Sequence, residues 1–171
     1  MHQTLWIERS FSFDFPAGLF PVIIARLSGA YPRIQEIVRT FPTHMLSYQP
    51  NGKWSMKQQI GHLTDLEALH SGRIEDFKRG IPVLRAADMQ NLKTEEARHN
   101  EKDVQELLND FRNTRNAFIA SLYSCPDELI TRIALHPRLK KDMRLVDMAF
   151  FVAEHDDHHI ARMMELAKEH P

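Results

Sequence analysis

Three histidines carry the chemistry that can be read directly from this sequence: His62, His155 and His159. The second pair stands in Glu154-His155-Asp156-Asp157-His158-His159, one helical turn apart. Residues at i and i+4 project from the same face of a helix, so two imidazoles there can grip one metal ion. A third imidazole from a facing helix gives a three-histidine set with positions left open for water or substrate. An open set is the pattern of catalytic zinc, whereas structural zinc is normally enclosed by four protein ligands.

The faces on which these residues fall support that reading. Met148, Val152, His155, His159 and Met163 form one helical stripe, so both histidines look inward with apolar neighbours, while His158 falls with Glu154, Arg162 and Glu165 on a solvent-facing pattern. Gln59, His62, Leu66 and Leu69 share a face, so His62 also points to the core. Burying a polar ring without a partner costs roughly 1–3 kcal/mol. Each histidine alone is equally explained as a core residue bonded to a carbonyl or carboxylate. The inward pair joined by an inward third favours a divalent metal, with zinc, nickel and iron all compatible with imidazole. A zinc-protease HExxH motif requires glutamate after the first histidine, and Asp156 stands there instead. Asp65, Asp156 and Asp157 either orient the ligand rings as hydrogen-bond acceptors or solvate a helix face.

Amphipathic helices must position these groups. An arm over residues 1–15 packs Trp6, Phe11, Phe13 and Phe15, and a short helix over 16–27, capped by Asp14, buries Leu19, Phe20, Ile23, Ile24 and Leu27. Ser28-Gly29 breaks it, and Pro32 suits the first turn of the next helix. Ser55 with Gln58 reads as a capping box opening a helix that runs to about Arg79. Residues 83–102 form a long polar connection with a helical turn at 94–98, and connections of that length are often functional. Arg85, Asp88, Asn91, Thr94 and His99 let it roof the metal, or lie solvated with no contact. A third long helix starts near 103 and ends before Pro126. An irregular link from Asp127 to Met143 leads to the last helix, from about 144. The expectation is an all-α helix bundle without a sheet core. His136-Pro137 is a further candidate near the last helix. Arg138, Lys140, Lys141 and Arg144 make a basic run that attracts an anionic substrate or is simply solvated.

Composition sets the outer bounds. The 171 residues fit one domain, 1–171, and 43% hydrophobic content supports a core. A net charge of −1 leaves no electrostatic footprint for nucleic acid. No apolar run approaches the ~20 residues needed to span a bilayer, and the N-terminal residues do not fit a signal peptide. Cys125 is the single cysteine, so no intramolecular disulfide forms, and it reads as a helix-end packing residue. The expectation is a cytoplasmic protein that binds neither membrane nor nucleic acid.

The stretch Lys53-Trp54-Ser55-Met56-Lys57-Gln58-Gln59-Ile60-Gly61-His62-Leu63-Thr64-Asp65 resembles the second bundle helix of the DinB-like (DNA-damage-inducible protein) superfamily, also called the YfiT-like metal-dependent hydrolases. There a tryptophan-serine opening precedes the first metal-binding histidine at the spacing of Trp54 and His62. His155 and His159 look like the second and third ligands of that family. Gln58 departs from the glutamate that many members carry, which leaves the triad intact but weakens any acid-base role at that position. The resemblance implies a four-helix bundle with a short extra N-terminal helix, a homodimer, and a divalent metal at one end of the bundle. It also implies a low-molecular-weight thiol as partner, since characterised relatives include thiol S-transferases and thiol-dependent isomerases. Two functions follow: a metal-dependent thiol S-transferase or hydrolase acting on a small molecule, or a non-catalytic metal-binding or stress-response protein of the same fold. The catalytic base is not identifiable from the sequence.

Overall fold

Period-3.6 apolar patterning folds into four long helical stretches in the computed structural model, which describes residues 3–169, the last of them by its backbone only. The first stretch is α1 (Phe20–Ser28) followed, after Gly29 alone, by α2 (Ala30–Thr40). Gly29 keeps right-handed helical angles and its N–H still reaches the Ala25 carbonyl at 3.0 Å. Pro32 has no N–H to return to Ser28, which accounts for the interruption. Asp14 does not cap this stretch. A 3-10 turn, Ala17–Leu19, leads in without a side-chain cap, and α2 begins two residues earlier than Pro32 suggests.

The capping box at the start of α3 (Met56–Lys78) is present: Gln58 N–H donates to Ser55 Oγ at 3.2 Å, and Ser55 N–H donates to Gln58 Oε1 at 3.1 Å. The connection after α3 carries a short helix, α4 (Leu92–Glu96), and returns to α5 (Val104–Tyr123), whose first turn is capped by Asp103. It lies directly on α3. A Cβ at Gly61 would overlap the His99 ring, and one at Gly72 would overlap the Arg85 guanidinium, so only side-chain-free positions admit it.

The segment expected as an irregular link is ordered. A short helix, α6 (Asp127–Ile130), precedes an antiparallel hairpin of β1 (Ile133–His136) and β2 (Lys141–Arg144), with His136 opposite Lys141. Strands of four residues are too short for alternation to stand out in sequence. The hairpin packs beside the bundle and is not a sheet core. The last helix is α7 (Leu145–Glu169). No described helix is long and apolar enough to cross a membrane.

Two separate apolar clusters hold the bundle. One gathers Ile24, Leu27, Phe77, Phe118 and Val152, and the other Ile34, Ile60, Leu63, Phe111 and Met163. Between them every long helix contributes polar atoms. Arg115, 1% exposed, donates Nε to Glu67 Oε1 at 2.7 Å and pairs with Asp156, while Nη1 reaches the Leu27 carbonyl at 3.5 Å. One guanidinium thus links α1, α3, α5 and α7. Truncating it leaves two buried carboxylates unpaired, and breaking such a network typically costs roughly 3–5 kcal/mol. Arg115→Ala is expected to lower the free energy of unfolding by that order, measured by urea denaturation.

Candidate metal centre

The ligand nitrogens of His62, His155 and His159 lie within 4.8 Å of one another, and all three residues are buried. Their positions follow from the polar layer. His62 precedes Glu67 on α3 and His155 immediately precedes Asp156 on α7, so the ion pairs that fix the carboxylates also fix the imidazoles. The three rings therefore lie on α3 and α7 within this polar layer.

Hydrogen bonds set which nitrogen of each ring is free. Thr94 Oγ1 donates to Asp65 Oδ2 at 3.0 Å, which spends its one proton, so it accepts from His62 Nδ1 at 3.1 Å. His62 Nε2 is then an unprotonated acceptor. Gln59 Oε1 accepts from His159 Nδ1 at 2.6 Å, which frees Nε2 of that ring in the same way. His155 Nε2 lies 3.1 Å from His159 Nε2. Two nitrogens so close on buried rings need a proton or a cation between them. The donor set fits a divalent metal.

Electrostatics keep the rings neutral. Burial, helped by His99 and His158 and opposed by Asp65, pushes His62 down to about 4. Burial and the neighbouring imidazoles hold His155 and His159 well below the usual histidine range. Metal ligation requires the neutral ring, and a cation here would take the place of the proton between His155 and His159.

Aromatic walls and a cavity complete the site. The Trp54 ring lies 4.6 Å from His62 and stacks on His159 at 6.0 Å, while its Nε1 donates to Glu95 Oε1 at 2.8 Å. Trp6, from the arm, sets its ring edge-on to His155 at 4.9 Å. The three histidines open on a cavity of about 420 Å³, also bounded by Leu66, Phe151 and the connection at Asp88 and Met89. A second hollow of about 390 Å³ reaches His159 from the side of Lys53 and Arg162.

Several sequence expectations are refined here. His158 is buried, not solvent-facing, because the arm covers it: Gln3 Nε2 donates to its carbonyl at 3.0 Å, and Trp6 lies 5.7 Å from the ring. Of the three aspartates, Asp65 alone reaches the three-histidine cluster, through Thr94. It also accepts from His99 Nε2 at 2.8 Å, which ties the connection to the site. Asp156 pairs with Arg115, and Asp157 with Arg26 and with Arg33 at 2.7 Å. The connection does roof the cavity, but Arg85 turns away to Asp76 at 2.8 Å. From the basic run only Arg138 lines the cavity, because Arg144 pairs with Asp147 and Lys141 donates to the Phe11 carbonyl. His136 also lines it. Cys125 is buried, its Sγ against the Ser121 carbonyl. His2 and His170 lie outside the described residues. Gln59 and Trp6 went unrecognised as site residues; their partners lie about a hundred residues or more away, beyond any local pattern.

The depressed histidines make stability depend on pH. His62 and His158 are pushed to about 4 and His136 to about 3, in each case chiefly by burial, against 6.5 when freely solvated. Their neutral burial contributes stability fully present above about pH 6.5 and lost as pH falls towards those lower values. The metal-free protein in chelator is expected to keep a constant Tm from pH 8 to 7 and to lose it steeply below 6.5. A Tm unchanged down to pH 5 would contradict buried neutral rings.

No curated protein matches this sequence. Among solved structures, YfiT from Bacillus subtilis superposes with a TM-score of 0.77 at 20% identity, over 95% of this chain and 93% of its own. That protein is described as a probable metal-dependent hydrolase with an unusual four-helix bundle topology, so this chain shares its fold. The DinB superfamily model matches residues 26–163, a span that includes all three histidines and omits only the start of α1 and the end of α7 among the long helices. The chain belongs to the DinB superfamily.

Proposed function

We propose that the protein is a metal-dependent enzyme acting on a small molecule, a thiol-dependent S-transferase or a hydrolase, with a divalent metal held by His62, His155 and His159. The observation that carries this reading is the convergence of three buried, neutral imidazoles on the wall of an open cavity. A divalent ion held by three neutral rings keeps its full charge and supplies Lewis acidity that lowers the pKa of a thiol or of water.

The residues of the chain divide the remaining tasks. His62 and His159 present Nε2 because Thr94 and Gln59 hold their Nδ1 protons. Asp65 orients Thr94, and His99 orients Asp65. Trp6, Trp54 and Phe151 exclude water from one side of the cavity and offer an apolar surface to the body of a substrate. Zinc or nickel is the proposed ion, both being well suited to imidazole.

Metal content, measured by elemental analysis after purification without chelator, is expected to approach one ion per chain. Alanine at His62, His155 or His159 should abolish it, while His158→Ala should retain it. Thr94→Val and Gln59→Leu are expected to weaken metal affinity 10–100-fold, the usual effect of removing the partner of a ligand ring.

Activity is to be sought with bacillithiol-type and glutathione-type thiols plus an electrophile, then with activated esters and amides. It should vanish on chelation and in His159→Ala, and return when metal is restored. An activity that survives complete metal removal would refute the mechanism. A full metal site without turnover across the panel would favour a binding or stress-response role.

A further inference from the structure

The cavity has a second polar group on its wall. Arg73, His136 and Arg138 line the same 420 Å³ space as the three histidines. Arg73 is 2% exposed, and its one described hydrogen bond runs from Nε to the Arg85 carbonyl at 3.1 Å. Arg138 lies over Trp6 and Phe151, with its guanidinium carbon 5.9 and 5.6 Å from the two ring centres, and its Nη2 is buried without a partner. Among the described residues neither arginine has a carboxylate within ion-pairing distance. Asp76, about one turn on along the same helix, is taken by Arg85.

His136 adds a donor of known direction. The Leu139 N–H donates to its Nδ1 at 3.2 Å, so the neutral ring carries its proton on Nε2, which is buried without a partner. Among the described residues the only acid on the cavity wall is Asp88, and its two oxygens accept the backbone N–H groups of Gln90 at 2.9 Å and Leu92 at 2.6 Å. Buried charges are normally paired, and buried donors normally bonded. The buried Arg73 guanidinium, the unpartnered Nη2 of the half-buried Arg138 and the His136 N–H share one cavity wall with no anion paired to them among the described residues that line it, against both rules. The groups also sense one another. Burial pulls Arg73 down to about 10, with Arg138 and Arg85 adding to the effect against Asp76, and both Arg73 and Arg138 help depress His136.

We infer that Arg73, Arg138 and His136 form an oxyanion subsite, so that the substrate is a small molecule with a carboxylate or similar group at one end, an apolar body, and its reacting group at the three-histidine end. Leu66, Leu69 and Phe151 supply the apolar wall. Planar guanidiniums suit a carboxylate because their donors match its two oxygens. The inference rests on the metal reading for the reactive end, but its binding energy does not pass through the metal.

The test therefore uses metal-free protein. Isothermal titration calorimetry of the chelator-treated full chain with 4-phenylbutyrate and its neutral amide is expected to show the carboxylate binding at least tenfold tighter. Arg138→Gln should abolish that preference and Arg138→Lys should partly retain it, with thermal melts confirming that both variants fold. His136→Gln, which keeps an N–H donor, should retain more of the preference than His136→Leu. Equal binding of acid and amide by the wild-type chain, or an unaltered preference in Arg138→Gln, overturns the inference. So does carboxylate binding that appears only after metal is added, because the anion would then sit on the metal. Metal content read on the same samples keeps the two claims apart: a fully loaded protein without carboxylate preference overturns the subsite alone. A protein that binds no metal yet prefers the carboxylate overturns the metal reading alone.

Discussion

The guanidinium of Arg115 is the point on which the rest of the bundle is registered. It bridges Glu67 on α3 and Asp156 on α7, and it touches the last turn of α1. Two carboxylates around one cation leave an excess negative charge in a region with almost no solvent. Burial accordingly pushes Glu67 up to about 7 even beside Arg115, and its second oxygen has no partner. Such an arrangement is poor at adding stability compared with well-packed apolar side chains. Its use here is positional. Asp156 is the neighbour of His155, and a slip of α7 against α3 would break the ion pair and scatter the imidazoles together.

That layer also explains why the core is divided. Each long helix carries apolar residues toward both ends and a polar residue in between: His62 to Arg73 on α3, Arg115 on α5, His155 to His159 on α7. Two apolar clusters flank the layer on either side. Burial keeps the histidines neutral, and side chains from elsewhere meet the outer nitrogens of His62 and His159. Thr94 comes from the connection and Gln59 from α3, so the rings are held in one tautomer before anything binds.

Much of this was legible in the sequence where the information is local. The pairing of His155 with His159 follows from helical geometry alone, and the Ser55–Gln58 cap fixed the start of α3. The inward face of His62 followed from its apolar neighbours. What escaped reading depends on distant partners. Arg115 has the appearance of a surface residue on an amphipathic helix until Glu67 and Asp156 are placed against it. His158 shares a stripe with charged residues and is buried only because residues 3–9 fold back across α7. His99 stands in a polar stretch, and nothing local shows that it lies against Gly61. The hairpin at 133–144 is too short to leave a period.

The two glycines beneath the connection have an effect on α3 itself. A glycine inside a helix is less favourable than alanine by about 1 kcal/mol, and α3 holds one at Gly61 and another at Gly72, each facing a side chain from the connection. Those two turns of the helix that presents His62 are thus intrinsically weaker than the rest and are covered by a segment that is itself mostly irregular. Opening of the connection would strip its contacts from these two turns, so their hydrogen-exchange protection should fall with that of the connection while packing on α5 and α7 holds the rest of α3.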